Sequence, residues 1–594
     1  MISQDGAHVQ PGSRREPHPA ATITWGIFLA IALANGVLLW SFHDVYWYPS
    51  DEGIYAHIAD RLLQGEVLSR DVQSLHPGYI NFVNAAAMWL FGHDLLSLRY
   101  PLALVALLQS CLIFRLFARR SVVLAAAASI AVTAFGTIQF LNPTAHWYCL
   151  FLSILLVWWM SVPVGQSSRL IGAGAIVGCI MLFRQLTGLW MLMALLVGVL
   201  WEHSSREARA RTWLARVLLG IAWLLLLAYI ITAAGARPVA KVMVATWPLA
   251  ILGVMALRVS VPNRVTVLAV ARLSCGIALS ALPLAGYLAA HAAWLPWMDD
   301  SFAAALRLTA LEYMQSANWL SLAPVLGLLQ VLQPRNAAAF LNGLYWTALP
   351  LLPIVNGVLT LRRIRRSEAA DMRLPVTAAF YALVSLHLEG SMYWYFSVGL
   401  SMAACLWHAV RARPSWQWLW TAATVTLAAI AIVFHAGQSA SRSASDRLLG
   451  VRTRTQATRI CNGMPGASLR IEWTDCEPYR QVVALLETQV PRNATMLAIP
   501  SDAELYFLAQ RRNPFRFYNT ALGIRNDAEL RAVLDELSRH PPVMVTFRPA
   551  DKFNTAASAA IMQMVRSRYH HTASIGGVEV YQAPQSSTTP QSQE

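Results

Sequence analysis

The sequence predicts a polytopic α-helical membrane protein with a smaller α/β domain at its carboxyl end. The first observation is composition, since 56% of the 594 residues are hydrophobic and 13% are charged, about half the charged share of an ordinary soluble domain. The second is a series of apolar tracts between residues 22 and 436, most of them close to the roughly 20 residues that span a bilayer. The third is a change to short strand-like and amphipathic patterns after residue 437. These observations exclude a soluble multidomain enzyme.

The net charge indicates membrane topology rather than a polyanionic partner. The chain has 46 basic and 31 acidic side chains, which give a formal charge of +15. The basic residues are scattered between apolar tracts, whereas a nucleic-acid-binding protein gathers them on one face. We therefore predict no nucleic-acid partner and use the arginines to orient the helices.

The amino-terminal part sets the direction of the first helix. Residues 1–21 are polar, and we expect them to be disordered and cytoplasmic. The tract at 22–42 is too long for a signal-peptide core and predicts a retained span. The following segment, 43–77, holds six acidic residues against two arginines, so the positive-inside rule places it outside. A first external loop with juxtamembrane helices is predicted over 43–98.

Thirteen spans follow if the arginine groups that end the later tracts are all cytoplasmic. This condition requires the apolar run 77–91 to lie in the membrane interface instead of crossing. The predicted spans are 22–42, 99–117, 121–140, 147–163, 169–184, 186–201, 213–234, 240–257, 265–290, 338–361, 374–388, 391–410 and 416–436. An odd number places the carboxyl-terminal part outside. A second external loop is predicted over 291–337, and its pattern suits either a mobile lid or a rigid helical collar.

The carboxyl-terminal part has the pattern of an external α/β domain over 437–583. Its predicted elements are strands at 490–501, 542–549 and 577–582 and a helix at 527–539. Cys461 and Cys476 are the only cysteines outside the apolar tracts, and an oxidising compartment favours a disulfide between them. Residues 584–594 are rich in Ser, Thr, Gln and Pro and are expected to be disordered. No catalytic motif is evident in this domain, for which we expect acceptor binding or a scaffolding role.

The stretch most informative about chemistry is Tyr48-Pro49-Ser50-Asp51-Glu52-Gly53-Ile54-Tyr55, just outside the first span. It places two adjacent carboxylates ahead of a helix predicted at 53–63. In one interpretation Asp51 is a general base, and Glu52 orients an acceptor or helps to hold a metal ion. In the other, Ser50 and Asp51 cap the helix and offset its dipole. Spacing alone leaves both interpretations open.

A series of further motifs follows the carboxylate pair. In chain order the series is Asp51-Glu52, Tyr55, Ala59, Gly65, His76-Pro77, Leu90-Phe91-Gly92 and Arg99-Tyr100-Pro101. It resembles the GT-C superfamily of membrane glycosyltransferases, particularly the lipid A aminoarabinose transferases and the protein O-mannosyltransferases. The resemblance is specific over residues 45 to 120 and looser over the remaining spans. It implies that residues 22–436 form a transmembrane domain of the GT-C type.

The resemblance also implies an activity and a location. A glycosyltransferase of this kind moves a sugar, here a hexosyl or pentosyl group, from a polyprenyl-phosphate donor to a glycan, lipid or protein acceptor on the external face, with inversion. Asp51 matches the family's catalytic acid and is the expected general base. The expected location is among the lipids of a bacterial inner membrane, with the amino terminus cytoplasmic and the carboxyl-terminal domain periplasmic. The expected process is modification of lipopolysaccharide or another glycan of the cell envelope.

The chemistry requires a cation near the leaving lipid phosphate. Arg184 lies between two apolar runs after a Gly-rich span, where the family has a basic residue near the donor phosphate. A charge in this position is costly and often functional. Snorkelling or a structural ion pair also accounts for it.

Other substrate-binding candidates come from the resemblance and from polar residues at membrane depth. His76 stands where the aminoarabinose transferases carry Lys, and His146 lies in a turn where many relatives place Asp. His387 and Glu389 lie between two apolar tracts, where they bind substrate or pair with each other. The predicted substrate-binding set is Tyr55, His76, Arg99, His146, Arg184, Arg307, His387 and Glu389.

Cofactor use and two other functions stay open at this stage. No cofactor is certain from the sequence, and a divalent cation would have only Asp51 and Glu52 as predicted ligands. A transporter or flippase of lipid-linked sugars also fits multiple spans with intramembrane charges, but no internal repeat is evident. An inactive scaffold is a second alternative, against which the paired carboxylates argue.

Overall fold

The predicted combination of a polytopic helical domain and an α/β domain is confirmed. The computed structural model describes residues 19–45, 47–204, 211–232, 240–304, 306, 323–366, 371–386, 392–412, 416–435, 460–461 and 464–584. Among these residues, nine helices are long and apolar enough to cross a membrane. Each of the predicted spans overlaps a helix, while their number, thirteen, stays a prediction.

The helices before the carboxyl-terminal domain, which is named the external domain after its predicted location, carry the labels α1 to α17 in chain order. They are α1 (Pro19–Phe42), α2 (Pro49–Leu63), α3 (Tyr79–Phe91), α4 (Arg99–Ala118), α5 (Val122–Phe135), α6 (Ala145–Trp159), α7 (Gln166–Phe183), α8 (Gln185–Glu202), α9 (Trp213–Thr232), α10 (Thr246–Arg258), α11 (Asn263–Ala290), α12 (Trp294–Met298), α13 (Ala323–Leu332), α14 (Ala337–Arg365), α15 (Arg373–Tyr381), α16 (Met392–Ala412) and α17 (Gln417–Ile430). The run predicted to be interfacial forms α3, which packs beside α2.

The break between α7 and α8 falls at Arg184. Its backbone is extended, with φ −158° and ψ 113°, so one apolar run ends and the next begins at a charged residue. Helix α7 lies close to α11 at Gly276, where a Cβ atom would lie 2.0 Å from the Ile171 carbonyl oxygen. Such small residues let membrane helices approach closely. This contact holds α7, which ends at Phe183, directly before Arg184.

The external domain contains a four-stranded mixed sheet. Its strands are β3 (Met496–Ile499), β4 (Met544–Phe547), β5 (His570–Ile575) and β6 (Val578–Gln582), and its helices are α18 (Trp473–Gln489), α19 (Ala503–Ala509), α20 (Thr520–Gly523), α21 (Asp527–Arg539) and α22 (Ala556–Arg568). The strand order is β3-β4-β6-β5, with β3 and β4 parallel and the other neighbours antiparallel. A separate ribbon pairs β1 (Ile460–Cys461) with β2 (Ile471–Glu472). The three predicted strands and the helix at 527–539 are confirmed.

The cysteines divide as the sequence predicts between the two parts of the chain. Cys476 is disulfide-bonded, and the free thiols are Cys111, Cys149, Cys179, Cys275 and Cys405. The pairing of Cys476 with Cys461 stays a prediction, because the side chain of Cys461 lies outside the described part of the structure.

Ion pairs fasten the external domain to both predicted external loops. Arg470 pairs with Asp44 of the first loop at 2.5 Å. Arg516 pairs at 2.8 Å with Asp300, a fully buried residue of the second loop, and Arg525 pairs with the adjacent Asp299 at 2.6 Å. The described start of the second loop is therefore held against the external domain, which favours the collar interpretation for this part.

Candidate active site

The carboxylate of Asp51 lies in the first turn of α2 and is half-buried. Its Oδ2 atom accepts a hydrogen bond of 3.1 Å from the side-chain amide of Asn142. Burial raises the pKa of Asp51, while the positive charge of Lys552 and the Asn142 hydrogen bond lower it. Asp51 is thus a carboxylate in a partly desolvated position, where its basicity is higher than in water.

Asp51 does not cap α2, although it lies in the first turn of this helix. Tyr48 is the N-cap residue of α2, and its side chain makes no capping hydrogen bond. Instead, Oε2 of Glu52 accepts from the Tyr48 backbone N–H at 3.1 Å. The interpretation that Ser50 and Asp51 cap α2 is therefore wrong, but Asp51 lies in the first turn, where a carboxylate offsets the helix dipole.

Glu52 forms a buried ion pair with Arg99. Its Oε1 atom accepts from Nε and Nη2 of Arg99 at 2.8 and 2.6 Å, and both side chains are almost fully buried. Arg99 also donates to the carbonyl oxygens of His43 and Val45. The pair ties the start of α2 to the start of α4. This placement does not fit the predicted substrate contact of Arg99 or the predicted direct role of Glu52 in catalysis.

Tyr55 and His76 form a second polar pair one turn from Asp51. The Tyr55 hydroxyl lies 3.2 Å from Nε2 of His76, and the two rings are nearly parallel. Burial and the positive charge of Arg184 lower the pKa of His76 to about 4, so this imidazole is neutral at pH 7. The pKa of Tyr55 is raised by burial and by the charge of Asp51. Both side chains therefore offer neutral hydrogen-bonding groups near Asp51 and Arg184.

Arg184 is a buried cation at the junction of α7 and α8. The residue is only 7% exposed, and its Nη1 atom donates to the Thr187 hydroxyl at 3.0 Å. Among the described residues, no carboxylate pairs with it. The structural ion pair considered from the sequence is therefore absent from the described part, and the guanidinium keeps donors for an anionic ligand.

His146 lies in an aromatic cluster. Its ring stacks on Phe396 with centroids 4.1 Å apart and lies edge-on to Tyr393 at 5.3 Å. The sequence suggests that His146 takes the place of the Asp that many relatives carry in this turn. Asn142 of the same turn contacts Asp51, and the role of His146 stays a prediction.

The external domain reaches the Asp51 region, which the sequence does not predict. Burial raises the pKa of Tyr518, the charges of Asp300 and Asp51 raise it further, and the charge of Lys552 lowers the pKa of Asp51. The only signal in the sequence is the rarity of lysine, since Lys241 and Lys552 are its two lysines. Asn142, Tyr518 and Lys552 therefore join the candidate site.

A close contact between α2 and α19 positions this end of the external domain. A Cβ atom on Gly53 would lie 2.3 Å from the Cβ atom of Glu504. The Trp47 indole N–H donates to Oε1 of Glu504 at 2.5 Å, and Glu504 is fully buried. Burial and the charge of Glu52 hold the pKa of Glu504 well above its ordinary value.

The described residues do not fit a metal site on the two predicted carboxylates. They contain no group of three or more His, Cys, Asp or Glu side chains that could hold an ion. Both oxygens of Glu52 already accept hydrogen bonds from Arg99 and Tyr48. Three further predicted substrate residues, Arg307, His387 and Glu389, lie outside the described part of the structure.

The fold and the site together define a polytopic membrane protein with a half-buried acidic site beside an external domain. No family model matches the chain, and no curated protein matches it. The chain is similar to ArnT from Cupriavidus metallidurans bound to undecaprenyl phosphate, with 15% identity, a TM-score of 0.38 and coverage of 96% of this chain and 100% of that chain.

A second solved structure is similar over most of the chain. It is the archaeal oligosaccharyltransferase AglB from Archaeoglobus fulgidus in complex with an inhibitory peptide and a dolichol-phosphate, at 12% identity and a TM-score of 0.43, with 96% of this chain and 75% of that chain covered. ArnT and AglB are both members of the GT-C superfamily, which the motif order resembles. Because these TM-scores lie under 0.5, the assignment of function rests on the side chains of this chain.

Proposed function

We propose that this protein is an inverting glycosyltransferase that uses a polyprenyl-phosphate sugar, with Asp51 as the general base. The observation that carries the proposal is the environment of Asp51. Its carboxylate is half-buried, does not cap its helix, and has a hydrogen bond from Asn142 to one oxygen. A buried cation, Arg184, and the neutral Tyr55–His76 pair lie in the same region.

The proposed reaction is a single displacement at the anomeric carbon of the donor sugar. Asp51 accepts the proton of the acceptor hydroxyl as the acceptor oxygen forms its bond to the anomeric carbon. The bond between that carbon and the phosphate oxygen breaks, and the electron pair leaves with the polyprenyl phosphate. Attack from the face opposite to the leaving group inverts the configuration. The carboxylate ends the step protonated and the lipid phosphate ends it with an added negative charge.

Arg184 is proposed to hold the donor phosphate. A guanidinium forms strong charge-assisted hydrogen bonds with phosphate oxygens, and these bonds strengthen as the leaving group gains charge. Burial of Arg184 removes competing water, so the contact is stronger than at an exposed surface. Tyr55 and neutral His76 are proposed to hold the sugar hydroxyls or the phosphate between this cation and Asp51.

The location of the reaction follows from the topology proposed for α1. Asp51 lies just after this helix, in the acid-rich segment that the positive-inside rule places outside. The acceptor is proposed to be a glycan, lipid or protein on that face, and the external domain is proposed to be periplasmic in a bacterial inner membrane. An active site at the outer leaflet suits a donor whose polyprenyl chain stays in the bilayer.

The proposal is tested by mass spectrometry of extracted polyprenyl phosphates and surface glycans from cells that lack the gene or carry a variant. Wild type should restore a missing sugar, and Asp51→Asn should not. The matched control is Asp60→Asn, which removes a carboxylate from the same helix where Asp60 pairs with His93 at 3.2 Å. Normal glycans in the Asp51→Asn strain would refute the mechanism. Lipid-linked sugar trapped on the cytoplasmic leaflet of the deletion strain would favour a flippase.

A further inference from the structure

A cleft opens at the ends of the helices that are farthest from Asp51. Helix α4 begins at Arg99, the partner of Glu52, and α6 and α16 begin near His146 and Tyr393. The last turns of these three helices border a cleft of about 840 Å³, together with the first turns of α1 and α15. The cleft therefore lies at the membrane face opposite to the candidate active site.

The cleft carries an excess of positive charge. Arg115, Arg119, Arg120 and Arg411 line it, with Asp371 as its one acidic residue in the described part. No carboxylate pairs with these four arginines among the described residues. Asp371 is already engaged by Arg373, which lies 3.7 Å away and donates its backbone N–H to the Asp371 carboxylate.

Two of the arginines are held in place by indole rings. The Cζ atom of Arg411 lies 4.1 Å from the centre of the Trp407 ring, and that of Arg115 lies 5.8 Å from the centre of the Trp25 ring. Such cation–π contacts orient a guanidinium without neutralising it. The Nε atom of Arg411 is buried without a hydrogen-bond partner, so the cleft contains a cationic donor that lacks an acceptor.

An apolar stripe leads from this cleft into the membrane. Trp25, Leu29, Leu33 and Val37 follow one another at intervals of four residues along α1, and all four are more than half exposed. Residues at this spacing share one helix face. The stripe begins at the aromatic wall of the cleft and gives an acyl chain a surface along which to lie.

We propose that this cleft binds the phosphate headgroup of an anionic phospholipid in the leaflet opposite to Asp51. Arginines at the level of the headgroups bind phosphate oxygens, and basic pockets between membrane helices on the cytoplasmic side take anionic headgroups. The apolar stripe on α1 accounts for a lipid rather than a free anion. The site is separate from the proposed donor site, because it lies at the other ends of the same helices.

The test uses the purified full-length protein, stripped of lipid in detergent. Binding of phosphatidylglycerol, phosphatidylcholine and inorganic phosphate is measured by native mass spectrometry and by the shift in unfolding temperature. The variant is Arg119→Gln/Arg120→Gln, because both side chains are exposed and their replacement leaves the helix core intact. The control is Arg264→Gln/Arg366→Gln, which removes the same charge from exposed positions at the same face outside the cleft.

Wild type and the control should prefer phosphatidylglycerol over phosphatidylcholine. The Arg119→Gln/Arg120→Gln variant should bind phosphatidylglycerol roughly 30-fold more weakly, the effect of removing two arginines near an anionic lipid. Unchanged binding by that variant, or an equal loss in the control, would overturn the proposal. Stabilisation of the wild-type protein by inorganic phosphate as strongly as by phosphatidylglycerol would also overturn it, because the ligand would then be a free anion.

Discussion

At the scale of single residues, the chemistry depends on the protonation state of Asp51, which is set by the groups around this carboxylate. Burial disfavours the charged form and raises the pKa, while Asn142 and Lys552 favour the charged form. A general base must be unprotonated to act, so activity should rise with pH as Asp51 loses its proton. The balance between these groups therefore fixes the acid limb of the pH profile.

Replacing Asn142 by Ala should move that acid limb to higher pH. The change removes the hydrogen bond that stabilises the carboxylate of Asp51, so the pKa of Asp51 rises further. The measurement is the pH dependence of kcat/KM for sugar transfer. The control is Asn356→Ala, which removes another buried amide, one that donates to the Pro375 carbonyl, and should leave the limb in place. A limb that stays or moves to lower pH in Asn142→Ala would contradict the assignment.

Replacing Arg184 by Gln should lower kcat/KM by about 10²–10³, the usual loss when one donor to a developing charge is removed. Arg184→Lys should retain more activity, because the charge remains while the two-pronged geometry is lost. Arg169→Gln, at the other end of α7, is the control. Steady-state transfer from the polyprenyl-phosphate sugar measures the effect, and a change of less than about threefold in Arg184→Gln would exclude a phosphate contact.

Much of this site could be predicted from the sequence, and the missing parts share a physical cause. Asp51 and Arg184 stand out because charges next to apolar runs are rare and costly. Asn142 and Tyr518 are ordinary residues in their own segments, Lys552 stands out only because lysine is rare, and the folded chain brings all three to the Asp51 region. The pairing of Glu52 with Arg99 is likewise non-local, so the sequence gives no reason to separate the roles of Asp51 and Glu52.

At the scale of elements, the contact between α2 and α19 links the external domain to the helix of Asp51. It forms because Gly53 has no side chain where the backbone and Cβ atom of Glu504 approach. The sequence predicts helix α2 and the external domain but not their contact, since a helical Gly has several explanations. The sequence does not predict the edge strand β5. Its first three side chains are exposed and polar, and its apolar and polar residues do not alternate.

Replacing Gly53 by Ala should weaken the contact between α2 and α19. The added methyl group would overlap Glu504, and overpacking of this kind costs about 1–3 kcal/mol. We expect a lower unfolding temperature and faster proteolysis between the two domains, measured on the purified protein. Gly26→Ala is the control, because nothing lies within 4 Å of its added Cβ atom. Equal stability of the two variants would show that the contact is not tight in solution.

At the scale of the whole molecule, the second external loop and the external domain are joined by the buried pair of Asp300 and Arg516. Asp300 is fully buried, and its carboxylate also accepts from the Ser74 backbone N–H of the first loop at 3.2 Å. Three distant segments therefore meet at one carboxylate. The sequence predicts each segment but not this junction, because no local pattern specifies which charges pair.

Replacing Arg516 by Gln should destabilise the protein by about 3 kcal/mol, because it leaves a buried carboxylate unpaired. Burial already raises the pKa of Asp300, and loss of Arg516 raises it further. Without Arg516, burial of a protonated Asp300 costs less than burial of a charged one. The loss of stability in the variant should therefore be small at low pH and grow as pH rises through the pKa of Asp300. Unfolding temperatures across pH measure the effect. The double variant Asp300→Asn/Arg516→Gln should recover much of the loss, and its failure to do so would contradict a paired role.

The most direct test of the central claim is sugar transfer by purified wild type and Asp51→Asn, from a labelled polyprenyl-phosphate sugar to the acceptor identified in cells. Loss of the base should lower the rate by about 10²–10⁴, while the unfolding temperature and donor binding stay as in wild type. Asp60→Asn should transfer at the wild-type rate. Transfer by Asp51→Asn within about tenfold of wild type would contradict Asp51 as the general base.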